Sequence, residues 1–169
     1  MTDAPGPHPH VHRYLTDVEW AGSTGVGYDG YDRAHTASAR PAQAALELSS
    51  DPSFRGDPAR LNPEQLLVLA ASSCQLLSFL AIAARARLDV ISYTDHAEGE
   101  MPEGTRRLSI TRITLRPEVV IAVPDPTADT AAIESKVHRL LHLAHEECYI
   151  ASSLRTEIEL EATLSFVSP

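Results

Sequence analysis

The stretch NPEQLLVLAASSC (62–74) opens a long, almost wholly apolar run, and that run constrains the fold more than any other part of the chain. Asn62 offers an N-cap, Pro63 suits the first helical position, and Glu64 complements the positive end of a helix dipole. Together they predict a helix reaching about Arg87. At 1.5 Å per residue, some 25 residues span about 37 Å. That is large for a chain of 169 residues. A helix apolar on every side needs cover on every side. One sheet and one further helix cannot supply all of it, so a second copy of the chain is expected to complete the cover as a homodimer.

Leu66–Ala84 is also long enough to raise a membrane span. Ser72, Ser73, Cys74, Gln75 and Ser78 cluster at its midpoint, which favours a buried core helix and no membrane. MTDAPGPHPHVHR (1–13) has neither a basic n-region nor an apolar h-region, so a cytoplasmic protein is expected. Acidic residues outnumber basic ones, 23 to 14, which argues against a nucleic-acid partner. An apolar share of 43 % suits a folded core.

Around the helix the pattern is mostly alternation. Residues 1–11 are Pro/His-rich and are expected to be a disordered tail, with one domain over 12–169. His12–Trp20, Tyr28–Arg40 and Gln43–Leu48 suggest three strands, and 51–60 a loop. Val90–Glu98 and Arg106–Val123 suggest two more, the second stopped by Pro124 and Pro126. Asp129 or Thr130 can cap a helix through Glu147, with Ile133, Val137, Leu140, Leu141 and Ala144 at three- and four-residue steps. Thr156–Phe166 forms the last strand, with Ile158, Leu160, Ala162, Leu164 and Phe166 on one face. The order βββ–α–ββ–α–β indicates an α+β fold with an antiparallel sheet.

The chain has two cysteines, Cys74 and Cys148. Free cysteine is often a small core filler. Three features weigh against that here. The two long helices each carry one cysteine in or at the end of the segment, so packing those helices could bring the sulfurs together. Ser72 and Ser73 leave room beside Cys74. Arg55, Arg60 and, further back, Arg33 could stabilise a thiolate. Cys148 follows Glu146 and Glu147, which disfavour ionisation, so a division of labour would make Cys74 attack and Cys148 resolve. Glu64 precedes Cys74 by ten residues, about 15 Å along a straight helix and roughly 80° out of phase. The two meet only if the helix breaks early or a partner chain brings its own Glu64 across.

FRGDPARLNPEQLLVLAASSC and AHEEC, with the strand blocks around them, resemble the OsmC/Ohr family of thiol-dependent peroxidases from about His12 to Phe166. The more specific part is NPE followed, ten residues after the Glu, by a cysteine in an apolar helix. The second part is Ala-His-x-x-Cys before a last strand. The resemblance implies an intertwined homodimer with two active sites at the subunit interface. It implies a peroxidatic cysteine at Cys74, a resolving cysteine at Cys148, a glutamate at Glu64, and an upstream arginine at Arg55, with Arg33 as the alternative. It also implies an organic hydroperoxide substrate and a dithiol reductant protein of lipoyl type, with no metal and no bound cofactor. Leu69, Leu76, Leu77 and Phe79 are expected to favour an organic peroxide. The chain departs from the family pattern in CYIASS, where a Pro-Tyr-Ser run is usual, and in its longer SSDPSFRGDPAR loop.

Two other readings compete. His142, His145 and Cys148 follow at three-residue steps and suit zinc, with His8, His10 and His12 as further ligands. A non-enzymatic, apolar-ligand-binding dimer would use the same helix pair with unreactive thiols. GSTGVG (22–27) joins two strands and does not open a helix, so a phosphate loop is not expected. Trp20, Tyr28 and Tyr31 are expected to be strand packing.

Overall fold

Pro63 and Glu64 start the long helix where the sequence places it: α1 runs unbroken over Pro63–Arg85. The structure is a computed structural model and describes residues 11–104, 107–125 and 127–168. Of the expected tail over 1–11, residues 1–10, with His8 and His10, lie outside the described residues, as do Arg106 and Pro126. The chain divides into two compact units, Met1–Pro63 and Glu64–Pro169.

The first unit carries an antiparallel sheet of β1 (Asp17–Glu19), β2 (His35–Ser38) and β3 (Ala45–Leu48). The strands are shorter than the alternation suggests. Residues before His35 leave the sheet and close around Arg33 instead. After β3, a 3₁₀ turn over Pro52–Phe54 is capped by Asp51, whose carboxylate accepts from the Ser53 amide. Gly56 has no alternative here, since a Cβ would lie 1.5 Å from the Ser50 carbonyl oxygen.

In the second unit α1 ends in paired reverse bonds. The Leu88 amide donates to the Ala83 carbonyl and the Arg87 amide to that of Ala84. Arg87 holds the left-handed position, at φ 54°, that glycine usually takes in such a C-terminal motif. Ala71, Gln75, Phe79, Ile82 and Ala83 make the buried face of α1.

The strands here are β4 (Val90–Asp95), β5 (Glu98–Glu100), β6 (Arg112–Leu115), β7 (Pro117–Ala122), β8 (Glu157–Leu160) and β9 (Thr163–Val167). They form two three-stranded sheets, β4-β7-β9 and β5-β6-β8. The two share one register. Asp95 opposes Pro117 and, three residues on, Glu98 opposes Thr114. Arg112 pairs with Glu157 and Glu118 with Thr163, both offset by 45. Each pair of strands is therefore one extended segment broken at a joint. That is why the expected strands over 106–123 and 156–166 each split in two. Arg116 sits at the joint, its guanidinium 3.0 Å from both Glu98 and Glu161. The β6–β8 and β7–β9 pairings are parallel, which corrects the expectation of an all-antiparallel sheet. A long helical connection between β7 and β8 returns the chain to the same end, as parallel pairing requires.

That connection holds α2 (Thr130–Glu146), capped by Asp129, and the short α3 (Tyr149–Ser153). Phe79, Ile82 and Ala83 of α1, Val119 and Ile121 of β7, and Val137, Leu141 and Ala144 of α2 form the main core. Ala71, Ile113 and Leu115 form a second, smaller one. The remaining face of α1 is uncovered, with Leu69 56 %, Leu77 64 % and Leu80 37 % exposed. By length and composition α1 could cross a membrane, and 28 % of its most apolar window is buried within this chain.

Candidate active site

Cys74 lies at the middle of α1, half-buried, and its thiol is free. Two residues before it, the Ser72 hydroxyl donates to Asp95 Oδ2 at 2.5 Å. The other oxygen, Asp95 Oδ1, accepts from the Arg116 amide at 2.7 Å. Ser72 is thus tied to β4 and the sheet joint, and Ser73 is the serine left beside the sulfur, in the cleft wall. That cleft, of about 530 Å³, is lined by Cys74, Leu77 and Arg85 of α1 and by Glu147, Tyr149 and Ile150. Phe79, expected among the substrate-facing residues, is fully buried in the main core instead, because it falls on the opposite side of α1 from Leu77.

Cys148 is a free thiol, 1 % exposed, placed just past the end of α2. It is the N-cap of α3, its Sγ accepting from the Ala151 amide at 3.4 Å. Its thiol is pushed above the ordinary range, first by burial and then by hydrogen bonding to Cys74, with the Ala151 amide pulling the other way. The fold therefore brings the two sulfurs into interaction across 74 residues of chain. The cause differs from the sequence expectation. Glu146 and Glu147 are exposed, and it is burial and the second sulfur that hold the proton on Cys148.

Glu64 stands in the first turn of α1. The helix does not break between it and Cys74, so the first of the two routes by which they could meet is closed. A rise of about 15 Å separates them within one chain.

The three arginines singled out in the sequence, Arg33, Arg55 and Arg60, belong to the first unit. Arg55 pairs with Asp29 at 2.9 Å, and Arg60 with Glu47 and Asp57. Arg33 differs. Its guanidinium lies over the rings of Tyr31, at 3.8 Å, and Tyr28, at 4.8 Å. It also donates to the backbone carbonyls of those two residues. Among the described residues no carboxylate forms an ion pair with it. It lines a cavity of about 360 Å³ with Trp20, Tyr31, His35 and Ser49. Trp20, Tyr28 and Tyr31, expected as strand packing, are loop residues: Trp20 and Tyr28 each meet Tyr31 edge-on, and the two tyrosines cage this arginine. The Tyr-x-x-Tyr-x-Arg spacing was the available signal.

The zinc reading needs three donors converging. Among the described residues no group of three His, Cys, Asp or Glu side chains is placed to hold a metal ion. The reason is geometric. Three-residue steps lag a helical turn, so His142 drifts to the exposed surface, and Cys148 lies beyond the helix with its sulfur turned to α3. The sequence reading missed Asp95 and the role of Gln75, a fully buried amide beside Cys74. A lone glutamine inside an apolar run was the signal for the latter.

The family model for OsmC-like protein matches residues 56–163. Among solved structures, an OsmC-like protein of unknown function from Vibrio cholerae is 32 % identical, with a TM-score of 0.77 over 90 % of this chain and 100 % of that one. An organic hydroperoxide resistance protein OsmC from Legionella pneumophila shares the fold at 13 % identity, with a TM-score of 0.60 over 92 % of this chain and 98 % of that one. An organic hydroperoxide resistance protein from Elizabethkingia anophelis does so at 16 % identity and a TM-score of 0.59, over 95 % and 100 %. No curated protein matches the chain.

Proposed function

The chain belongs to the OsmC-like protein family, and within that family we propose that it is a cysteine-based peroxidase acting on organic hydroperoxides. The observation that carries the reading is the interaction of two free thiols, Cys74 in the cleft wall and Cys148 buried behind it. A buried Cys148 that keeps its proton leaves Cys74 as the attacking sulfur. The hydroperoxide resistance names of two fold relatives point the same way.

In the first step the Cys74 thiolate takes the distal oxygen of the hydroperoxide. The O–O bond breaks, the alkoxide gains a proton and leaves as alcohol, and Cys74 becomes a sulfenic acid. In the second, the Cys148 sulfur attacks the Cys74 sulfur, the S–O bond breaks, and water leaves. An external dithiol, of lipoyl type in this reading, then reduces the Cys74–Cys148 disulfide by two exchange steps. The electrons come from that dithiol, so the cycle calls for no resident metal or organic cofactor. A reducing, cytoplasmic setting suits it.

Leu77 and the adjoining apolar wall of the cleft favour an alkyl peroxide over hydrogen peroxide. An arginine near Cys74 would hold the thiolate and polarise the peroxide. Arg33 has better support for this than Arg55, since Asp29 already matches the charge of Arg55. Glu64 cannot reach the Cys74 of its own helix, so its role in orienting that arginine is assigned across a homodimer. The uncovered leucines of α1 are the surface that such a dimer would bury.

The test is a thiol count. One equivalent of cumene hydroperoxide should consume both thiols of the wild type and yield a Cys74–Cys148 bond by mass spectrometry. Cys148→Ser should consume one equivalent and stop at sulfenate, and Cys74→Ser should consume none. Unreactive thiols in the wild type would instead favour the apolar-ligand-binding dimer.

A further inference from the structure

Polar side-chain atoms sealed inside a protein are normally paired, so an unpaired one calls for an explanation. Among the described residues three such atoms have no partner: Gln75 Oε1, His145 Nδ1 and the Tyr93 hydroxyl. Two of the three flank the cysteines. Gln75 directly follows Cys74, and His145 precedes Cys148 by three residues.

Gln75 also reaches the turn of α2 that precedes His145. Gln75 is fully buried, and its Nε2 donates to the Leu141 carbonyl at 3.0 Å. His145 stands one turn beyond Leu141, and helical side chains lean back over the preceding turn. The amide and the ring are therefore drawn to the same stretch of helix. Their needs are complementary. An amide oxygen only accepts, and imidazole Nδ1 donates when it carries the proton.

We infer that Gln75 and His145 form a positioning couple for the resolving sulfur, His145 Nδ1–H donating through one enclosed water to Gln75 Oε1. The couple joins α1 beside Cys74 to the last turn of α2, from which Cys148 hangs. The Cys148 amide donates to the His145 carbonyl at 3.2 Å, so an orientation fixed at residue 145 is passed to residue 148. The inference rests on the peroxidase reading and assigns both residues to its second step alone. In that step the new S–S bond forms as the S–O bond breaks, and the proton of Cys148 leaves with the hydroxyl as water. Neither Gln75 nor His145 exchanges atoms. Their work is alignment.

The test is single-turnover kinetics of the full chain with cumene hydroperoxide, reading sulfenate and disulfide separately by quenched mass spectrometry. Gln75→Leu and His145→Phe should leave sulfenate formation within about twofold of wild type, and each should slow disulfide formation by about tenfold. The double variant should be no slower than the slower single one, and His145→Asn, which keeps a donor near the Nδ1 position, should recover most of the rate. Unchanged disulfide rates in both single variants, or effects that simply multiply, would overturn the couple. Nitrogen NMR of the wild-type protein gives a second check that needs no variant: the His145 proton should reside on Nδ1, and a proton on Nε2 alone would overturn it. A wild type that forms sulfenate and disulfide normally, with unaffected variants, removes the couple and leaves the peroxidase. A wild type that never forms the Cys74–Cys148 bond removes both.

Discussion

Ser72 and Asp95 stand 2.5 Å apart, hydroxyl to carboxylate, and that pair fixes the middle of α1 against β4 two residues from Cys74. The same carboxylate accepts the Arg116 amide at the sheet joint. Removing it leaves two donors without their acceptor, which typically costs 1–3 kcal/mol. Asp95→Ala is expected to lose about 2–3 kcal/mol and Ser72→Ala about 1 kcal/mol in urea denaturation. Equal stability of Asp95→Ala and wild type would show that the joint does not depend on this carboxylate.

Cys148 gives a pH signature. A thiol held above its ordinary value keeps its proton in the folded chain while the unfolded chain loses it. Folding stability is therefore fully present below the ordinary thiol value of about 8.5 and declines as pH rises above it. Alkylation of Cys148 should follow the same lag, with a midpoint above that value. Burial is the leading cause and Cys74 the next, so Cys74→Ala should move the midpoint down without restoring the ordinary value. A midpoint that rises or stays fixed in that variant would separate the two sulfurs.

The helices were the most legible part of the sequence. Pro63, Glu64 and Asp129 act locally, and local chemistry sets a helix start. The interior alternation Ile158, Leu160, Ala162, Leu164, Phe166 was legible too, and it persists through the joint, every one of these residues packing on a core. What alternation cannot encode is where a segment bends or which direction its neighbour runs. Arg116 looked like any polar residue between apolar ones, and its role arises from Glu98 and Glu161, which are distant in sequence. The candidate site divides the same way. Cys74 and Cys148 stood out by rarity. The Tyr-x-x-Tyr-x-Arg spacing and the lone glutamine Gln75 marked residues worth noting, but what each side chain does depends on its tertiary neighbours.

Gly56 offers a test of the loop that carries Arg55. The Ser50 carbonyl occupies the place a side chain would take, and that carbonyl is backbone, so it cannot step aside alone. Gly56→Ala is expected to destabilise the first unit by about 2–4 kcal/mol and to break the Gly56 amide bond to the Asp51 carbonyl. Limited proteolysis should then cut within 50–57 sooner than in wild type.

Arg87 allows the opposite change. A non-glycine residue in the left-handed region bears a conformational cost of order 1–2 kcal/mol. Arg87 pays it to close the two reverse bonds that end α1. Arg87→Gly removes that strain and keeps both bonds, at the cost of a looser unfolded chain. The net gain should be about 0.5–1 kcal/mol, or about 1–4 °C in Tm for a chain of this size. A lower Tm would mean that the arginine side chain itself holds the helix end.

The uncovered side of α1 makes the last prediction, and it bears on the proposed dimer. Leu69 and Leu80 are 56 % and 37 % exposed in one chain, an arrangement that an isolated core helix has no reason to keep. If a second chain covers them, Leu69→Glu with Leu80→Glu places two carboxylates in an apolar interface, where unpaired charge is strongly disfavoured. Sedimentation should give twice the chain mass for wild type and a single chain mass for the variant. The variant should also lose peroxide turnover, because a lone chain has no second Glu64 to bring to Cys74. A wild-type protein sedimenting at the mass of one chain, with full turnover, would place the whole site within one subunit and leave Glu64 without a catalytic part.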